Sequence, residues 1–251
     1  MRQKMFKLSS EQQHAEDVEH HLFHDPHRQA SGLSDIILGG QDGLVNVLGV
    51  ILGVAAATSD PRIVMVAGLA ATFAESVSMG AVAYTSTQAE NDLYLSERER
   101  EHRHIHLAPD VESYEIREIY RKKGFDGEEL DKIVEVITAN PDVWVEVMMS
   151  EELQMTPPEK SQALTSAFVV GVAALLGSLV PLVPFFFLPI SQSIWVSMAI
   201  SALTLFVVGV YKARTTVGKP FRSGLQMTLI GIASALVGYF IGLLFQAPVT
   251  P

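Results

Sequence analysis

Apolar residues in this chain come in blocks separated by strongly polar stretches. Five blocks reach the ~20 apolar residues that carry a helix across a ~30 Å hydrocarbon core. They run approximately Ile36–Ala57, Ile63–Tyr84, Ala163–Phe187, Ile190–Tyr211 and Leu225–Phe245. Most are rich in Gly, Ala and Ser as well as Leu and Val, the composition of closely packed membrane helices. The pattern predicts an all-α, five-span membrane protein with a soluble helical insert between spans two and three. The first block is the least apolar, because Gln41, Asp42 and Asn46 lie inside it.

The chain divides on this reading into a polar tail (1–30), spans one and two (31–89), the insert (90–160) and spans three to five (161–251). No breaker interrupts the second block between Pro61 and Pro109, so one long helix is expected to leave the bilayer and continue into the insert. Pro109-Asp110 starts a further helix, Val111–Lys123, which closes at Gly124. Asp126 is expected to cap the next, where Leu130, Ile133, Val134 and Ile137 form an i, i+3, i+4, i+7 stripe. Asn140-Pro141-Asp142 breaks the chain again before a last helix, Val143–Gln154. Pro181, Pro184 and Pro189 suit the end of the third span and a tight turn into the fourth.

Charge sharpens the picture. The insert holds 19 of the 28 acidic residues and 9 of the 18 basic ones, so it accounts for the whole net charge of −10. Such a balance points to cations and away from nucleic acid. Lys and Arg gather in the tail, in the insert and between spans four and five (Lys212, Arg214, Lys219, Arg222). By the positive-inside rule the N-terminus and the insert are cytosolic. No cleavable leader is expected in the polar first thirty residues. With no cysteine, neither a disulfide nor a thiolate metal site is available.

The insert offers carboxylate, imidazole and thioether together, a ligand set suited to divalent transition metals. Residues three or four apart share a helix face. Glu101 and His104 pair this way, Glu112, Glu115 and Glu118 make a carboxylate ladder, and Met148 and Met149 precede Glu152 by four and three residues. The plainer alternatives are solvated acidic faces and methionines that merely fill a core. Glu101-His102-Arg103-His104 also has the Glu-x-x-His spacing of di-iron bundles, which motivates a ferroxidase or iron-storage alternative. Five of the eight histidines lie in the tail (His14, His20, His21, His24, His27), either a solvated helix or a low-affinity metal-collecting tract.

Ionisable groups inside a bilayer cost ~2.5–3.5 kcal/mol each on the lenient scale and usually serve function. Asp42 sits near one end of span one, and Glu75 lies mid-span in span two with Ser78 and Met79 close by. A carboxylate there can bind a cation when ionised and release it when protonated, the minimum chemistry of proton-coupled exchange. The alternatives are a helix cap for Asp42 and a structural hydrogen bond for Glu75. Gly39/Gly43, Gly49/Gly53 and Gly238/Gly242 allow close helix approach, within a subunit or between two.

Taken together, the chain resembles the vacuolar iron transporter family. The resemblance is carried by Asp42-Gly43-Leu44-Val45-Asn46-Val47, by the Ser-Met-Gly and Gln88 region of span two, and by the acidic insert ending in Met148-Met149-Ser150-Glu151-Glu152-Leu153. It implies a five-span homodimer that moves Fe²⁺, and often Mn²⁺, out of the cytosol in exchange for protons. It implies metal capture by Glu101, His104, Glu112, Glu115, Met148, Met149 and Glu152, with His104 standing where the family pattern has a glutamate. It also implies a membrane pathway past Asp42, Asn46, Met79 and Glu75. The Gly-Glu pair associated with span two reads Gly80-Ala81 here: either Glu75 substitutes from about a turn and a half earlier, or the pathway is altered.

The reading is therefore a transporter and not an enzyme, with no cofactor beyond the transported metal, whose partners are divalent metal ions, protons, the bilayer and a second copy. It would sit in the plasma (inner) membrane of a prokaryote or the vacuolar membrane of a eukaryote. The rivals are a membrane-anchored ferroxidase and a metal sensor without flux.

Overall fold

A computed structural model of the protein describes residues 30–58, 60–157 and 162–245, and the histidine tail lies outside them. The described residues form helices joined by short turns, without a strand. In chain order these are α1 (Ala30–Ala57), α2 (Pro61–Leu107), α3 (Pro109–Lys122), α4 (Gly127–Thr138) and α5 (Pro141–Val147). A π-helical turn (Met148–Glu152) follows, then α6 (Gln162–Phe187), α7 (Ile190–Thr215) and α8 (Pro220–Leu244). α1, α2, α6, α7 and α8 are long and apolar enough to cross a membrane. The chain forms two compact units: residues up to Gly80 together with those from Phe168 onward, and Ala81–Ala167.

α2 runs unbroken for 47 residues, about 70 Å at 1.5 Å per residue. That matches the single long helix expected from the absence of a breaker.

In the first unit α1 is central. Val47, Leu48, Ile51 and Leu52 are fully buried and pack with Val64, Leu182 and Ala235. Its glycines serve two different neighbours within the one chain. Gly39 and Gly43 lie on the α6 backbone at Val170 and Ala174, while Gly49 and Gly53 lie on α8 at Ser234 and Gly238. A Cβ on Gly53 would stand 2.8 Å from the Gly238 carbonyl oxygen, and one on Gly43 would stand 2.6 Å from Ser178 Oγ. The glycine pairs thus seat α1 between two helices of its own subunit.

Pro181 and Pro184 lie inside the last turns of α6, at the end of the span as expected, and Leu188-Pro189 makes the connection to α7. Two buried serines of α7 brace this stretch. Ser197 donates to the Pro181 carbonyl at 2.7 Å and Ser193 to the Pro184 carbonyl at 3.2 Å. These bonds tie the last turns of α6 to α7.

The second unit is a small helical bundle. Leu130, Val134 and Ile137 of α4 are buried as the stripe required, with Ile105, Ile116, Trp144, Val145, Met148 and Met149. Gly124 closes α3 with φ +101°, a conformation that strains any residue with a Cβ. Asp126 holds the N-cap position of α4 without making a side-chain capping bond. Asn140 does cap α5, accepting from the Asp142 amide at 3.0 Å.

The last helix of the insert departs from expectation. It is α-helical only to Val147 and then widens into the π-turn, in which the Leu153 amide reaches back five residues to the Met148 carbonyl at 3.2 Å. One extra residue per turn rotates everything beyond it relative to a regular helix.

Candidate metal centre

Three elements of the second unit supply the site: the far end of α2, the first turn of α3 and the π-turn. Glu101 and His104 are one turn apart on α2, and Glu112 enters from α3 after the sharp reversal at Ala108-Pro109. His104 Nδ1 lies 3.7 Å from Glu101 Oε1 and 3.5 Å from Glu112 Oε1. Glu101, His104 and Glu112 each offer one ligand atom within 4.8 Å of the others. Glu101 is only 4% exposed and Glu112 only 5%, whereas His104 is partly open to solvent. Buried carboxylates are uncommon without a compensating charge.

The surrounding charges explain which acids join. Glu97 pairs with Arg100, Glu99 with Arg103, Glu118 with Arg121 and Glu151 with Lys123. Among the described residues no Lys or Arg forms an ion pair with Glu101, Glu112, Glu115 or Glu152. Of the predicted α3 ladder, Glu112 is in the close-set group, Glu115 stands near enough for its charge to act on Glu112 and Glu152, and Glu118 is taken by its arginine. Burial, then the charges of Glu115 and Glu101, push Glu112 up to about 7; Glu152 adds to the rise and His104 opposes it. Burial and the charges of Glu115 and Glu101 also raise Glu152. One Glu112 carboxylate oxygen is buried without a hydrogen-bond partner. Four carboxylates and one imidazole, short of cations and partly dehydrated, suit a divalent metal.

Met148 and Met149 are 0% and 1% exposed. They pack with Ile105 and Ile116, the chain neighbours of His104 and Glu115. The π-turn that carries them went unpredicted, because Met148–Glu152 contains neither glycine nor proline.

A second constellation lies in the first unit. Asp42 and Asn46 stand one turn apart on an exposed face of α1, twelve and sixteen residues into the helix, so Asp42 does not cap it. The Asn46 amide donates to the Glu75 carboxylate of α2, and the Asp42 carboxyl stands close to the same group. Two carboxyl groups in such contact need a proton or a cation between them. Met79 is half-buried one turn further along α2, while Ser78 is exposed.

Two residues outside the sequence reading set the height of this group. Ser76, next to Glu75, donates to the Gly171 carbonyl of α6 at 2.8 Å. A Cβ on Gly171 would stand 3.2 Å from the Ser76 carbonyl oxygen and 3.6 Å from Gly80 Cα. Their only sequence signal is a small residue in each of two spans.

Comparison with known proteins bears on what this pair of sites does. Residues 33–243 match the model of the VIT family. The chain is 37% identical over 203 residues to vacuolar iron transporter 1 of Eucalyptus grandis, covering 80% of this chain and 82% of the relative. To vacuolar iron transporter 1 of Arabidopsis thaliana it is 33% identical over 235 residues, 92% and 93% of the two chains. To the vacuolar iron transporter of Plasmodium falciparum it is 30% identical over 224 residues, 85% and 82%.

Proposed function

The chain belongs to the VIT family, and on that premise we propose that it is a membrane transporter carrying Fe²⁺, with Mn²⁺ as a second substrate, out of the cytosol by proton antiport. The observation that carries this reading is the contact of Asp42 and Asn46 on α1 with Glu75 on α2. A ferroxidase or a sensor needs a metal centre in the insert, but it has no use for hydrogen-bonded carboxyls within membrane-spanning helices.

In this proposal the insert is cytosolic and collects metal at Glu101, His104, Glu112, Glu115 and Glu152, with Met148 and Met149 at the apolar edge of the centre. The ion passes Met79 and is held by Asp42 and Glu75, with Asn46 orienting the Glu75 carboxylate. Protonation of these carboxyls from the acidic side removes the charge that binds the ion, and the ion leaves. Glu75 then supplies the carboxylate that Ala81 does not. No bond of the cargo is made or broken, so the protein is not an enzyme on this reading.

We also propose a homodimer. Leu93, Leu95, Leu107, Val111 and Tyr114 of the insert are 53% to 80% exposed. A soluble unit this acidic gains from covering such side chains with a second copy. The membrane would be the plasma (inner) membrane in a prokaryote and the vacuolar membrane in a eukaryote.

The test is Fe²⁺ uptake by the full chain in proteoliposomes with an acidic interior and an internal pH dye. Metal entry coupled to alkalinisation inside is expected. Saturable binding without entry would overturn transport, and O₂ consumption with Fe²⁺ would favour the ferroxidase.

A further inference from the structure

Two adjoining cavities in the first unit are not used by the transport proposal. The more apolar one, about 310 Å³, lies among α1, α6 and α7 and is lined by residues such as Ile36, Leu44, Leu176, Val180 and Val208. This is the size range of a ligand pocket. The second, about 340 Å³, shares Leu33, Ile37 and Gln41 with the first and ends at Ser34, Lys212 and Thr216. The pair therefore forms one groove, apolar at one end and polar at the other.

The polar end is selective in its charge. Neither cavity is lined by a carboxylate. Lys212 forms no ion pair among the described residues, and Gln41 and Ser34 add uncharged donors beside it. Arg214, Lys219 and Arg222 follow within ten residues of Lys212, and residues 161–251 contain no acidic residue. Leu176 is 61% exposed, which leaves the apolar cavity open toward the surface that faces hydrocarbon.

We propose that this groove is a binding site for one anionic phospholipid, with an acyl chain in the apolar cavity and the phosphate at Lys212. A metal ion is unsuited to an end that offers ammonium and amide donors. A free inorganic phosphate would leave the apolar cavity without an occupant. A phospholipid satisfies both ends, and cationic clusters where spans leave the bilayer attract anionic headgroups.

The experiment is native mass spectrometry of the full-length protein from detergent, titrated with palmitoyl-oleoyl phosphatidylglycerol or the matching phosphatidylcholine. Phosphatidylglycerol should be retained in preference. Lys212→Gln should weaken its retention about fivefold, the effect of one basic charge at a membrane surface. Leu176→Trp, which narrows the apolar end, should weaken retention of both lipids, and Arg62→Gln, in the first turn of α2 and outside the lining of both cavities, should change neither. Equal retention of the two lipids by the unaltered protein would overturn the proposal. So would undiminished phosphatidylglycerol binding by Lys212→Gln. Carbodiimide cross-linking of Lys212 to carboxylates of the insert, unaffected by added phosphatidylglycerol, would assign this end to the insert instead.

Discussion

Asn46 of α1 donates its side-chain amide to the carboxylate of Glu75, 29 positions along the chain on α2. The bond ties the first span to the one acidic residue in the middle of its neighbour. It fixes where a charge can stand inside a region that otherwise rejects charge.

If that bond orients the carboxylate for cargo, Asn46→Leu should lower the rate of metal uptake by about ten- to hundredfold, the usual cost of losing an outer partner of a metal-binding group. Metal binding by the insert should be unchanged. Asp42→Ala and Glu75→Ala should each lower uptake at least as far. Flux that survives both alanine variants would discard this pathway.

The insert gives a sharper contrast. Glu101→Gln and Glu112→Gln should each weaken binding of Mn²⁺, an air-stable probe, by about ten- to hundredfold in calorimetry of the full chain. Glu118→Gln should leave it alone, because Glu118 is held by Arg121. An equal loss in all three would mean that the acidic surface binds metal diffusely.

Acidity should control the same centre. Glu112 is raised to about 7 from its usual 4.5, so near neutrality metal must displace a proton from it. Mn²⁺ affinity should climb with pH up to about 7 and then level off, with proton release visible as a buffer-dependent heat. For the metal-free fold the sign is opposite. A raised carboxyl favours the folded state fully below about 4.5, and that contribution disappears as pH rises through about 7. Amides of α3 should therefore exchange with larger opening constants at pH 8 than at pH 6, and metal should reverse the difference. Insensitivity of the opening constants to pH would contradict this account of Glu112.

Removal of Ser150, an exposed residue of the π-turn, should let this segment close into a regular helix. Glu152 would then be carried out of the cluster. The expected result is a secondary structure unchanged by circular dichroism with Mn²⁺ affinity lowered about tenfold or more. Retention of full affinity would show that the π-turn has no part in placing Glu152.

Gly53→Val should destabilise the protein by about 1–3 kcal/mol, since its first side-chain carbon meets the α8 backbone. Gly32→Ala, with open space around it, should be neutral or slightly stabilising. Thermal unfolding in one detergent at one lipid content would compare them.

Much of this architecture is legible in the chain because it follows from local chemistry. Hydropathy finds the five spans, the absence of a breaker predicts all of α2, and Pro109, Gly124 and Asn140-Pro141 punctuate the insert. What escapes depends on partners that sequence spacing does not name. Glu115 and Glu118 are equivalent on paper and are separated only by the reach of Arg121. The π-turn has no composition of its own; its register answers to the packing of Met148 and Met149. The glycine pairs announce a close approach without saying to which helix, and Pro181 and Pro184 do not announce that serines of α7 reach their carbonyls.

The seating of α1 carries one more implication. Gly39 meets the backbone of α6 on one side and Gly53 that of α8 on the other, where there is no side chain to swing aside. Axial sliding would drive peptide groups into one another, so α1 behaves as a fixed rail within its unit. Asp42 and Asn46 are then stationary marks on that rail. A distance label spanning Asn46 and Glu75 would report any movement of α2, together with its Ser76 contact to α6, relative to that rail.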